Sequence, residues 1–132
     1  MFFVAASFAL MTGCAKKTAA RVPSPVQPAR IGETETGLAS WYGVPYHGRR
    51  SANGETYDME KFTAAHRTLP FDTWVEVTNL VNNKHVDVRI TDRGPFVNGR
   101  IIDLSLAAAR ELDMVAAGVV RVRIKVVRRS SQ

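Results

Sequence analysis

Two segments of the chain alternate apolar and polar residues with a period of two. Val86, Val88 and Ile90 are interleaved with His85, Asp87, Arg89 and Thr91, and Val120, Val122, Ile124 and Val126 with Arg121, Arg123 and Lys125. Successive side chains of a strand point to opposite faces, so this pattern suits a strand with one face in a core and the other in water. An earlier alternation, Val75, Val77 and Leu80, breaks at Asn82 and Asn83. Asparagine tolerates the positive φ of a tight turn, so the two runs read as an antiparallel hairpin. Further on, SLAAARELDM places Leu104, Ala108 and Leu112 on one helical face, with Asp103 or Ser105 available as the cap and Gly118 as a breaker beyond. Gly43, Gly48, Gly54, Gly94 and Gly99 divide the remainder into short strands. Many short strands and one helix indicate a mainly β fold, a small barrel.

The chain of 132 residues has room for one domain of ordinary size. Its single cysteine excludes an internal disulfide framework, a Cys-rich zinc site and a CxxC redox pair. Three histidines and scattered acids give no metal-ligand spacing, so no metal and no cofactor is expected. The net charge is +6. The basic C-terminal stretch from Arg121 to Arg129 has no interleaved aromatics on which bases would stack, so it reads as a solvated strand face and no nucleic-acid partner is expected.

Residues 1–13, MFFVAASFALMTG, carry no charge and are too short to span a bilayer. They read as the apolar part of a secretory signal, and Thr12, Gly13 and Cys14 resemble the lipobox of bacterial lipoproteins. That resemblance implies cleavage before Cys14 and lipidation there, with diacylglycerol on the sulfur and an acyl chain on the amine. Several chains together make a stable anchor where one does not. Ala15, not Asp, implies sorting to the outer membrane. Residues 14–36 continue with Pro23, Pro25 and Pro28 among small and polar residues and read as the lipidated cysteine followed by an extended linker. The domain is then expected over residues 37–132.

Three stretches of this domain are dense in polar, glycine and aromatic residues: Ala39–Gly43, Ala52–Met59 and Thr91–Phe96, with Thr63–His66 between them. Loops on a rigid scaffold carry function more often than strands do. Carboxylates gathered in one cleft raise each other's pKa, which keeps one protonated as a general acid, the group a glycosidic leaving oxygen needs. Glu55, Asp58 and Asp92 are the candidates, and Trp41 and Tyr42 offer flat faces for sugar rings. Plainer readings stand beside these. Asp92 serves equally as a turn cap, Glu55 and Asp58 as solvated loop charges, and His66 as a satisfied core histidine.

At these residues the sequence resembles the rare lipoprotein A (RlpA) family. The motifs that carry the likeness are GLASWYG from Gly37, GRRSANGE from Gly48, Tyr57–Met59, Thr63–His66, Leu69–Phe71, Val77–Leu80, DRGPF from Asp92 and GRIIDLS from Gly99. The resemblance implies a six-stranded double-psi β-barrel with one or two short helices, in a periplasmic lipoprotein acting on peptidoglycan; a monomer is expected. It implies an endolytic lytic transglycosylase that cleaves MurNAc–GlcNAc bonds, preferably in strands stripped of stem peptides, and leaves 1,6-anhydroMurNAc ends. The family's catalytic positions fall on Glu55, Asp58, His66 and Asp92, with Asp92 the expected acid/base. Trp41, Tyr42, Tyr57 and Arg93 are the expected substrate contacts. Longer members carry a C-terminal sporulation-related repeat that binds denuded glycan; this sequence stops at Gln132, which leaves septal targeting by that route open. The alternative is a non-catalytic glycan-binding or wall-loosening lipoprotein of the expansin kind.

Overall fold

A computed structural model of the chain describes residues 26–130; the signal segment, Cys14 and the linker up to residue 25 lie outside the described residues. The elements run β1 (Thr34–Tyr42), a 3-10 turn (Val44–Tyr46), β2 (Thr63–His66), β3 (Trp74–Asn79), β4 (His85–Asp92), β5 (Arg100–Ser105), α1 (Leu106–Glu111) and β6 (Val120–Arg128). The six strands close into a barrel in the order β1-β5-β2-β4-β3-β6. Four neighbouring pairs are antiparallel, and two, β1 with β5 and β2 with β4, are parallel. Each parallel pair contains a register shift, at Leu38/Ala39 and at Ala64/Ala65. Such shifts bend and twist a strand, as closing a barrel of so few strands requires.

The period-two segments become the strands that fill the barrel. In β4, Val86, Val88 and Ile90 are buried between exposed His85 and Asp87, and in β6 Val122, Ile124 and Val126 are buried between exposed Arg121, Arg123 and Lys125. They meet Val75 and Val77 of β3, Ala39 of β1, and Ile102 and Leu104 of β5 in one apolar cluster. The β3–β4 hairpin forms as expected, and Asn83 supplies the positive φ, at 62°. Leu80 lies beyond the end of β3, and its N–H donates to the carbonyl of Arg121.

Two expectations move. Leu104 does not share a helical face with Ala108, because β5 continues to Ser105 and puts Leu104 fully inside the barrel. Ser105, not Asp103, then caps α1: its Oγ accepts from the N–H of Ala108 at 3.3 Å. The linker also ends earlier than residue 36. Thr34–Ala39 pair antiparallel with Lys125–Val120, Ala29 is buried, and the N–H of Gln27 reaches the carbonyl of Thr68 at 2.9 Å. The physical reason is that β6 needs a partner on its second edge, and the β-branched Thr34 and Thr36 suit a strand once the prolines are passed.

At Gly37 β1 runs close against β5: a Cβ there would lie 2.6 Å from Ile101 Cγ2, so a side chain would force Ile101 to shift. Ile102 is fully buried at the centre of the cluster, whereas Val81 is largely exposed in the hairpin turn. Ile102→Ala is expected to lower the unfolding free energy by about 2–5 kcal/mol through lost burial and the cavity left behind. Val81→Ala is expected to change it by less than about 0.5 kcal/mol. Denaturant unfolding of both variants checks the contrast.

Candidate active site

Strand pairing alone builds the floor of the site. Ser40 on β1 lies opposite Asp103 on β5, Asp103 opposite Ala65 on β2, and Ala65 opposite Asp92 on β4. Four consecutive strands thus present a single row, Ser40, Asp103, Ala65 and Asp92. Neighbouring strands lie about 4.8 Å apart, so the two aspartates stand about 10 Å apart backbone to backbone, with the small Ala65 between them. All four residues border one open cavity of about 390 Å³. Its walls include Trp41, Tyr42, Tyr46 and Tyr57 and four arginines, Arg49, Arg50, Arg93 and Arg100.

The two aspartates are held differently. Asp92 Oδ1 accepts the backbone N–H groups of Ala52 and of Arg93, both at 2.9 Å, and is anchored by them. Asp103 is half-buried, and burial pushes its carboxyl above the ordinary aspartate range. A hydrogen bond donated by Ser40 Oγ and the charge of Arg100 oppose that rise, and the charge of Asp92 adds to it. One row therefore presents a carboxyl biased toward its protonated form and a second, backbone-anchored acid. A carboxyl whose burial favours the protonated form is what a general acid requires.

The structure separates the residues that sequence reasoning grouped. Asp92, Trp41, Tyr42, Tyr57 and Arg93 line the cavity. Glu55 and Asp58 line a neighbouring hollow, which shares Ser51 and Tyr57 with the first. Glu55 grips Arg89 of β4 with both oxygens, at 2.9 and 2.8 Å, and Arg89 also reaches Asp72 at 2.8 Å. Arg89 holds the Glu55 carboxyl below the usual range. With Asn53 N–H on the carbonyl of Thr91 and Ala52 N–H on Asp92, this ion pair docks the 51–55 loop along β4. Asp58 turns its own loop by accepting the N–H of Glu60 at 2.9 Å. His66 lines a third hollow, where its Nε2 meets Glu35 at 3.1 Å.

The aromatic residues divide as well. Tyr57 is buried; its hydroxyl donates to the carbonyl of Tyr42 at 2.6 Å and accepts the N–H of Leu106 at 3.3 Å, tying loop, strand and helix together. Burial pushes the Tyr42 phenol well above its ordinary value, so it stays neutral. Trp41 lies over Gly43 so closely that a Cβ there would come within 2.8 Å of its ring. Tyr46 is the exposed aromatic of the wall, edge-on to Tyr42 at 5.8 Å. Sequence reasoning passed over Tyr46, Ser40 and Asp103. Asp103 carried a signal, a lone acid in the apolar run Ile101–Leu104, but its position just before a helix pointed to a cap instead.

The family described as lytic transglycolase matches residues 34–124, and the chain belongs to that family. It is 57% identical over 97 residues to the endolytic peptidoglycan transglycosylase RlpA of Campylobacter jejuni, covering 74% of this chain and 35% of the relative. It is 56% identical over 96 residues to the protein of that name from Vibrio cholerae, covering 73% and 36%. The chain thus spans about a third of the length of these relatives. Among solved structures, a Streptomyces papain inhibitor matches with a TM-score of 0.60 and 28% identity over 74% of this chain and 97% of the inhibitor. An expansin from Clavibacter michiganensis matches with a TM-score of 0.59 at 19% identity, over 76% of this chain and 53% of the expansin, a likeness of fold. The closed six-stranded barrel is the double-psi type expected.

The raised Asp103 carboxyl has a consequence for stability. A folded-state pKa above the unfolded value of about 3.9 means the folded chain binds the proton more tightly, so ionisation costs stability as pH rises through that window. Asp103→Asn is therefore expected to be more stable than the parent at neutral pH. Denaturant midpoints measured across pH should show that advantage shrinking as pH falls through the folded pKa and vanishing below about 3.9.

Proposed function

Starting from a lytic transglycolase fold whose groove pairs a protonatable acid with an anchored carboxylate, we propose that this protein is an endolytic peptidoglycan lytic transglycosylase cleaving MurNAc–GlcNAc bonds. The row Asp103–Ala65–Asp92 carries the reading. Asp103, in its protonated form, donates to the glycosidic oxygen, so the C1–O bond breaks and the GlcNAc side leaves as an alcohol. Asp92 supplies negative charge beside the oxocarbenium-like centre. The Asp103 carboxylate then takes the proton of the MurNAc C6 hydroxyl as that oxygen attacks C1. The product is a 1,6-anhydro ring, no water is consumed, and the acid is regenerated. The nucleophile is tethered to the reacting sugar, so no second base is required. This assignment moves the acid/base role from Asp92, where the sequence placed it, to Asp103, which the sequence offered only as a helix cap.

The arginines bear on which strands are preferred. Arg49, Arg50, Arg93 and Arg100 border the cavity, and none lies in an ion pair with a carboxylate among the described residues. Each MurNAc whose stem peptide has been removed carries a free lactyl carboxylate, the group a guanidinium recognises. An intact stem peptide converts that carboxylate to an amide and removes the attraction. A preference for denuded strands follows, with exposed Tyr46 and half-buried Trp41 offering faces to the sugars. Lipidation at Cys14 and retention at the outer membrane belong to the same reading and would hold the groove near its polymer.

The test uses peptide-free glycan strands and mass spectrometry of the products. The parent protein is expected to release anhydro-ended fragments, and Asp103→Asn to lower the rate by about a hundredfold or more. Reducing-end fragments would make the protein a hydrolase. Binding without cleavage would move it to the wall-binding class.

A further inference from the structure

We propose that Glu35 and His66 are positioning residues that hold Arg93 in the groove, and that His66 transfers no proton in the reaction. The kinetic part of this inference rests on the glycan-cleaving reading; the geometric part does not. His66 is the last residue of β2, and its side chain is almost wholly buried. Its Nδ1 accepts the backbone N–H groups of both Thr68 and Leu69, at 3.1 and 3.0 Å. A ring nitrogen that accepts two hydrogen bonds carries no hydrogen of its own, so the proton sits on Nε2. That nitrogen lies 3.1 Å from Glu35 Oε2 on β1, to which it donates. The interaction with His66 holds the Glu35 carboxyl below its usual range, as an acceptor should be held.

The imidazole thus fixes the turn from His66 to Leu69 from inside. The outer face of that turn presents two carbonyls, those of His66 and Leu69, to one nitrogen of Arg93, at 3.2 and 2.8 Å. The guanidinium also lies 4.0 Å over the ring of Phe71. Arg93 is therefore aimed by neutral acceptors and an aromatic face at the cavity it borders, where Asp92 is its charged neighbour. The N–H of the same residue anchors Asp92. From Glu35 through His66 and its turn, a chain of contacts fixes the cation and steadies the acid beside it, although His66 itself lines a different hollow.

Two measurements on the whole protein test this. Imidazole nitrogen NMR at neutral pH should show His66 as the Nε2–H tautomer; a proton on Nδ1 overturns the proposal whether or not any glycan is cleaved. The second compares variants on peptide-free strands. His66→Asn keeps an acceptor near the Nδ1 position and has no acid–base capacity, so kcat should stay within about threefold of the parent. His66→Gln moves the acceptor, and Glu35→Ala releases the ring; each should raise KM by about tenfold with a smaller change in kcat. A fall of about a hundredfold in kcat for His66→Asn, with KM unchanged, would make His66 a proton carrier and sink the proposal. Glu35 is half-exposed, so Glu35→Ala tests the same link without burdening the core. If the parent protein cleaves nothing, the functional reading fails on its own, and the tautomer still decides the geometry.

Discussion

Everything at the site depends on where β2 lies. This four-residue strand is wholly buried and is paired on both edges, parallel to β4 and antiparallel to β5. Because Ala65 has partners on both sides, the aspartates of β4 and β5, which follow each other in the chain but do not pair with each other, are brought into one row. The register shift at Ala64/Ala65 sets which residue of β4 faces Ala65. Without it, the alternation of strand side chains would put Asp92 on the other face. A methyl group at Ala65 is also what leaves space between the carboxyls. A larger residue there would fill the cavity floor.

The loops obey the same logic. Neither the 51–55 loop nor the 66–69 turn carries an acid of the row, yet both hold Asp92 in place. The 51–55 loop donates an N–H to Asp92 and is itself fastened to β4 by Glu55 and Arg89. The 66–69 turn grips Arg93, whose N–H completes the anchoring of Asp92. Glu55 and His66 are thus concerned with Asp92 through backbone amides. Groups that act through such contacts set distances to fractions of an ångström, the scale on which proton transfer is sensitive.

Much of the fold was legible in the sequence because strand alternation, turn asparagines and the run of small helical residues are local signals. Val86–Ile90, Val120–Val126 and Asn83 all behave as their patterns demand. The site was legible only in part. Asp92, Trp41, Tyr42 and Arg93 stood out by composition and do border the cavity. Glu55, Asp58 and His66 stood out equally and lie in other hollows. The difference is carried by pairings between residues 38 to 63 positions apart, such as Ala65 with Asp103 and Ser40 with Asp103, which no short-range pattern encodes. Asp103 shows the cost most plainly: its local setting suggests a helix cap, and only closure of the barrel turns it toward Asp92.

The placement of β1 has a mechanical consequence. Its N-terminal half is bonded to β6 and its C-terminal half to β5, the two ladders overlapping at Leu38 and Ala39, so every residue of the strand has a partner on at least one edge. The groove residues Ser40, Trp41 and Tyr42 occupy its far end. Tension applied through the residues that precede Thr34, while a polymer is gripped at the groove, runs along the axis of β1. Ladder hydrogen bonds lie across that axis, so they are loaded together in shear and not opened one after another. A barrel wired in this way can be pulled by its leading end without unzipping the strand that carries its floor.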